Sequence, residues 1–212
     1  DLACTTNLEG GIVGSEYYLR HRTPDGINYL LQRIGQVKDG VRDKCGKNLP
    51  VTTAEIDNLM FTWKSSDAVV PEGINPVYRP VLDEVDFVLV HTYPFWNKLP
   101  IDGAAAFTVQ RYKAIQRLIE QTYPGQHKRV IIGEAGWPSA GAPNGAAVPG
   151  LENQRRYMLE FLYLAEKEGV EYMYFNAFDE LWKIEEPGRV GQNWGYSYSD
   201  RTAKHNFYGV LL

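Results

Sequence analysis

Apolar residues recur along this chain in two alternating rhythms. Short, nearly continuous runs rich in β-branched residues occupy 8–16 (LEGGIVGSE), 50–56 (PVTTAEI), 85–93 (VDFVLVHTY), 129–134 (RVIIGE) and 170–180 (VEYMYFNAFDE). Such runs predict buried strands. Between them the apolar spacing lengthens to three and four residues, the period of an amphipathic helix. A helix is predicted over 23–45, where Thr23 caps, Pro24 takes the first position and Ile27, Leu30, Leu31, Ile34 and Val37 form a stripe. A second covers 105–125, with Val109, Tyr112, Ile115 and Ile119 on one face and Pro-Gly ending it. A third covers 151–169, with Gly169 as its natural stop. Residues 57–80 read as helical or irregular, 138–150 as a Gly/Ala/Pro-rich loop, and 191–212 as a mixed, aromatic tail.

Strand and helix alternating in this way predict an α/β fold with a parallel sheet covered by helices. Each unit takes about 35 to 43 residues, ordinary for crossover connections in a (β/α)8 TIM barrel. Residues 1–212 read as a single catalytic domain without internal repeats.

Composition narrows the function without naming it. The net charge of −4 and the lack of a long Lys/Arg run argue against nucleic acid and anionic membranes as partners. No apolar run is long enough to span a bilayer, and "DLACTTNLEGG" lacks the marks of a signal peptide. His21, His91, His127 and His205 lie far apart without ligand spacing, so neither metal nor other cofactor is expected. The absence of GxxxxGK[ST] and GxGxxG argues against a phosphate-binding loop. Cys4 and Cys45 either pair or remain free. The 14 Tyr, 5 Trp and 8 Phe residues suit both core packing and stacking on sugar rings.

Four of the five strands end in an acid: Glu16, Glu55, Glu134 and Glu180. In a parallel barrel all strand C-termini open on one face, where active sites sit. Any one of these glutamates could instead cap a helix or pair with a basic side chain. Together they suit glycoside hydrolysis, in which one carboxyl protonates the glycosidic oxygen and another attacks the anomeric carbon or activates water. Trp137, three residues past Glu134, is either a sugar platform or a rim residue packing the 138–150 loop.

"VIIGEAGWPS" resembles the nucleophile motif of glycoside hydrolase family 17, the β-1,3-glucanases and β-1,3-glucanosyltransferases. "GIVGSEYYLR" resembles that family's acid/base motif, "VHTYPFW" its sixth-strand segment and "FNAFDELWK" its eighth-strand segment. The resemblance implies Glu134 as nucleophile and Glu16 as general acid/base, their carboxyls roughly 5–5.5 Å apart as in retaining enzymes. It further implies Glu180 and Lys183 as a supporting pair and Tyr93 and Trp137 as cleft aromatics. Two departures stand out: Ser15 and His91 each replace a usual asparagine, so the contact to a sugar 2-hydroxyl falls to the shorter Ser15 side chain. Glu55 either orients substrate or is structural.

In that family the acid/base glutamate ends the fourth strand, yet seven residues precede the first predicted strand here. The expectation is therefore a chain holding the last five β/α units, strands one to three being supplied by a complementary N-terminal segment or compensated by a second copy. The functional expectation is a retaining glycosidase or transglycosylase acting on β-1,3-glucan oligosaccharide or polysaccharide, secreted or at the cell surface or in a periplasm as a polymer substrate implies. A carbohydrate-binding fragment without catalysis is the rival. A Schiff-base lyase or aldolase is disfavoured because the strands carry no lysine.

Overall fold

The computed structural model describes Cys4 and residues 8–205; the last seven residues of the aromatic tail, and most of the N-terminal stretch before residue 8, lie outside them. The chain divides into two compact units. The first comprises residues 1–64, 70–91 and 114–131, and the second residues 65–69, 92–113 and 132–212.

The first unit is built on three parallel strands in the order β1 (Gly11–Ser15), β2 (Val51–Ile56), β5 (Val88–His91). Gly11 pairs with Val51 and Ser15 with Ala54, so the register slips between Ile12 and Ser15. Gly14, at φ 76, allows that slip, because a side chain there would be forced into the left-handed region. After the short turn α1 (Tyr17–Arg20), helix α2 (Pro24–Cys45) begins as expected, the Thr23 hydroxyl accepting the Gly26 N–H. It buries Ile27, Leu30, Ile34 and Val41. Val37, expected in this stripe, is instead exposed: Val41 lies seven residues from Ile34, two full turns on, whereas Val37 is rotated away from that line.

Residues 57–84 hold more regular structure than the sequence pattern suggested. Helix α3 (Asp57–Met60), the antiparallel pair β3 (Phe61–Thr62) and β4 (Gly73–Ile74), and helix α4 (Arg79–Glu84) follow one another. Cys4 and Cys45 form a disulfide, which ties the end of α2 to the chain before β1.

Two elements run through both units. Helix α5 (Ala104–Thr122) buries Val109, Tyr112, Ile115 and Ile119, the face read from its spacing. Strand β6 (Val130–Ala135) begins in the first unit and ends in the second. Within the second unit it pairs in parallel with β7 (Tyr172–Tyr174). Helix α6 (Leu151–Glu168) stops at Gly169, which takes the left-handed conformation at φ 64. From its buried face the Gln154 amide donates to the carbonyls of Trp137 and Gly195, while its oxygen bonds the His205 ring, so one side chain holds the tail against the β6–α6 loop. Residues 51–55 of β2 and all of β5 are buried, whereas Ile12 of β1 and Tyr172 and Met173 of β7 are exposed.

Candidate active site

Glu16, Glu55 and Glu134 are carried where sheet hydrogen bonds fix the backbone, whereas β7 stops at Tyr174 and Glu180, expected at its end, stands in the loop beyond it. In the first unit Glu16 leaves β1 with φ 52 and ψ 37, a left-handed conformation unusual for glutamate. Its N–H donates to the Ala54 carbonyl at 2.8 Å, which anchors the bend to β2. Its carboxylate meets two partners. Oε1 lies 3.0 Å from Nδ1 of His91, a residue buried at the end of β5, and Oε2 lies 3.3 Å from the Arg20 guanidinium. Arg20 also donates to the carbonyl oxygens of Ser15 and Glu16, wrapping the bend from outside. The Ser15 side chain is exposed beside it.

Glu55 is fully buried. Its Oε1 accepts the Ile56 N–H at 2.9 Å and its Oε2 the Leu19 N–H at 3.0 Å. Burial raises its pKa above the ordinary carboxylate value and the nearby charge of Glu16 raises it further, against the two N–H donors and His91. A carboxylate without exposed surface and with both oxygens held by backbone donors has no edge for a sugar hydroxyl. The substrate-binding expectation for Glu55 therefore gives way to the structural one. Tyr78 is buried nearby, its phenol pushed well above the usual range by burial and by the Glu55 charge.

In the second unit a group of side chains gathers around Phe175. The Tyr93 hydroxyl donates to Glu134 Oε2 at 2.7 Å, and the Thr92 N–H bonds the Glu134 carbonyl, fixing both ends of this glutamate. The Tyr93 ring meets Phe175 edge-on at 6.2 Å and Trp194 at 5.0 Å. Lys183 lies 4.5 Å from the Phe175 ring centre and is ion-paired with Glu180. Tyr93, Glu134, Glu180 and Lys183 thus belong to one neighbourhood. Gly136 explains part of the "GEAGWPS" pattern: a β-carbon there would stand 2.0 Å from the Phe175 carbonyl oxygen, so this backbone approach excludes any side chain.

Trp137 does not join that group. Its exposure is 0%, its indole N–H donates to Val148 O at 3.0 Å, and its ring lies against Phe95 and Tyr157. It anchors the 138–150 loop, the packing alternative open in the sequence, and presents no face to a sugar. The exposed indole belongs instead to Trp182, 72% accessible and 5.2 Å from Lys183 Nζ. Sequence reasoning also passed over Arg20 and Phe175. Arg20 sits four residues beyond Glu16, the spacing of a helical ion pair, which was a usable signal. Phe175 carried none, since an apolar residue in a strand looks like core.

Parallel strands alternating with helices, with carboxylates delivered at strand C-termini, define a partial (β/α)8 TIM barrel, of which this chain holds five strand-led units. Residues 3–195 match the family described as the BtgE/BtgC glycoside hydrolase domain, and the chain belongs to that family. The glucan 1,3-beta-glucosidase of Schizosaccharomyces pombe is 29% identical over 196 residues, which cover 92% of this chain and 56% of that protein. The glucan 1,3-beta-glucosidase BGL2 of Candida albicans is 26% identical over 206 residues, 92% of this chain and 61% of its own length. Among solved structures, the glycoside hydrolase family 17 β-1,3-glucanosyltransferase of Rhizomucor miehei superposes with a TM-score of 0.69 at 29% identity, over 96% of this chain and 63% of that one. The chain thus spans less than two thirds of each of these relatives.

Proposed function

We propose that this chain supplies the catalytic carboxylates of a retaining β-1,3-glucan hydrolase, with Glu134 as nucleophile and Glu16 as general acid/base. The observation that carries the reading is Glu134 at the end of β6, its Oε2 engaged by Tyr93. One oxygen held in this way orients the other toward an anomeric carbon, the positioning that covalent catalysis needs. Attack by Glu134 forms a glycosyl-enzyme while Glu16 gives its proton to the departing glycosidic oxygen. Glu16 then takes a proton from the incoming water, and Glu134 leaves. His91 holds Glu16 Oε1 and so fixes the direction of that proton transfer. Glu180 and Lys183 keep the flank of Phe175 and Tyr93 in place.

The names of the relatives support β-1,3-glucan as substrate, and a Rhizomucor miehei glucanosyltransferase mutant has been solved with laminaritriose. One feature favours transfer as a second reading. Trp182 offers an open indole face on which an acceptor sugar could stack in place of water. The Cys4–Cys45 disulfide and a polymeric substrate favour an extracellular or cell-surface location, where such bonds persist. Among the described residues no helix is long and apolar enough to cross a membrane. The exposed apolar residues of β1 and β7 favour further protein, a complementary segment or a second copy, covering those strands.

The test is mass-spectrometric product analysis with a reducing-end-labelled β-1,3-gluco-oligosaccharide, run beside Glu134→Gln. Shorter products absent from the variant indicate hydrolysis, and longer ones transfer. Binding without products from either protein would replace catalysis by carbohydrate capture.

A further inference from the structure

Glu16 occupies the position before α1 at which a side chain ordinarily caps a helix by accepting the N–H two or three residues on. It makes no such bond. Its carboxylate goes to His91 and Arg20, and the Leu19 N–H it would have taken is already bound, 3.0 Å away, by Glu55 Oε2. Glu55 is an expensive group to keep there, a fully buried carboxylate and the one charged side chain on β2. An apolar residue of similar size would fill the same space. It would also leave the Leu19 N–H without an acceptor, and the carboxylate nearest along the chain is Glu16's own.

We propose that Glu55 is a positioning residue for Glu16: by capping the turn Tyr17–Arg20 from the neighbouring strand, it keeps the Glu16 carboxylate off that cap and turned to His91, where it acts as acid/base. Strand β2 thereby grips the bend twice, through the Ala54 carbonyl on the Glu16 N–H and through the Glu55 side chain on the Leu19 N–H. Burial, which disfavours the charged form of Glu55, is opposed by those same backbone donors, in keeping with a carboxyl held for its hydrogen bonds rather than for proton transfer. The catalytic half of this inference rests on the function proposed above; the geometric half does not.

Two variants separate capping from bulk. Glu55→Met fills the space without an acceptor, whereas Glu55→Gln keeps an amide oxygen for Leu19. Each is assayed on a laminari-oligosaccharide, whose leaving group needs a proton, and on an activated aryl β-glucoside with azide, which needs neither acid nor base. Glu55→Met is expected to lose about a hundredfold on the oligosaccharide, the usual worth of general acid catalysis, and far less on the aryl glucoside. Glu55→Gln is expected to recover most of the oligosaccharide rate. Equal losses on both substrates, or no recovery with glutamine, would overturn the proposal. If the wild-type protein turns over neither substrate, the proposed function has failed, and a crystal structure of Glu55→Met decides the geometry. Glu16 turned onto the Leu19 N–H supports the inference, and Glu16 unmoved beside His91 overturns it. Should Glu55→Met not fold, amide exchange in Glu16→Ala decides: Leu19 stays protected if Glu55 is its cap and exchanges freely if it is not.

Discussion

Lys204→Met should be among the most damaging single changes in the second unit. The Lys204 and Asp179 side chains are 0% and 6% exposed, and Nζ donates to Asp179 Oδ1 at 2.6 Å and to Ser139 Oγ at 2.7 Å. Methionine fills nearly the same volume but leaves the buried Asp179 carboxylate held by the Gly195 N–H, at 3.1 Å. Breaking a buried pair from one side costs about 3–5 kcal/mol. Relaxation offers little relief, because the backbones are already in close contact: a β-carbon on Gly195 would lie 2.2 Å from the Asp179 nitrogen. For a chain of this length the loss corresponds to a fall of roughly 6–20 °C in the unfolding midpoint. Differential scanning fluorimetry of Lys204→Met, Asp179→Asn and the double variant forms the cycle. The double variant should return to within about 1.5 kcal/mol of wild type, since the amide still accepts from Gly195 and no charge is left buried. A single variant that loses less than about 1 kcal/mol, or a double variant as unstable as Lys204→Met, would refute the argument from desolvation. The stakes reach the site, because Asp179 directly precedes Glu180, whose ion pair holds Lys183 over Phe175.

Four further outcomes follow from the same contacts. Tyr93→Phe removes a hydrogen bond to a carboxylate worth about 1.5–3 kcal/mol, so kcat/KM on a laminari-oligosaccharide should fall roughly ten- to hundredfold; an unchanged value would deny Tyr93 its orienting role. Trp137→Ala should cost about 3–5 kcal/mol in urea unfolding and leave KM unchanged, whereas a raised KM at unaltered stability would restore the sugar-platform reading. Glu55 has a raised folded-state pKa, so its contribution to stability is greatest below its ordinary value of 4.5 and is lost as pH rises through the folded value. The stability of wild type relative to Glu55→Gln should therefore decline as pH rises above 4.5 in denaturant titrations, and a rise would contradict the assignment. Reducing the Cys4–Cys45 bond, which closes a 41-residue separation, should cost about 4 kcal/mol of chain entropy, read as a lower midpoint with reductant and unchanged in a Cys4→Ser/Cys45→Ser protein.

What the sequence disclosed was whatever repeats with a period or stops with a cap. Thr23, Pro24 and Gly169 set the ends of their helices, and the runs ending in Glu16, Glu55 and Glu134 became strands within a few residues of the expected limits. The pair β3–β4 went unread because two-residue strands carry no alternation to detect. The alternatives left open at Trp137 and Glu55 have a common cause. Spacing tells that a side chain lies near the end of a strand, but not whether it turns to the cleft or to the packed interior. That choice is made by distant partners, Val148 and Tyr157 for the indole and the Leu19 N–H for the carboxylate. The Lys204–Asp179 pair was equally hidden, since nothing local marks a tail lysine as buried.

The left-handed backbone at Glu16 sets two kinds of selection against each other. Aspartate, asparagine and glycine enter that conformation more readily than glutamate. A library screened for thermal tolerance alone should therefore collect Glu16→Asp or Glu16→Gly, each easing the chain while withdrawing the carboxyl from His91. The residue that persists at this position under a given screen thus records whether heat resistance or turnover was being selected.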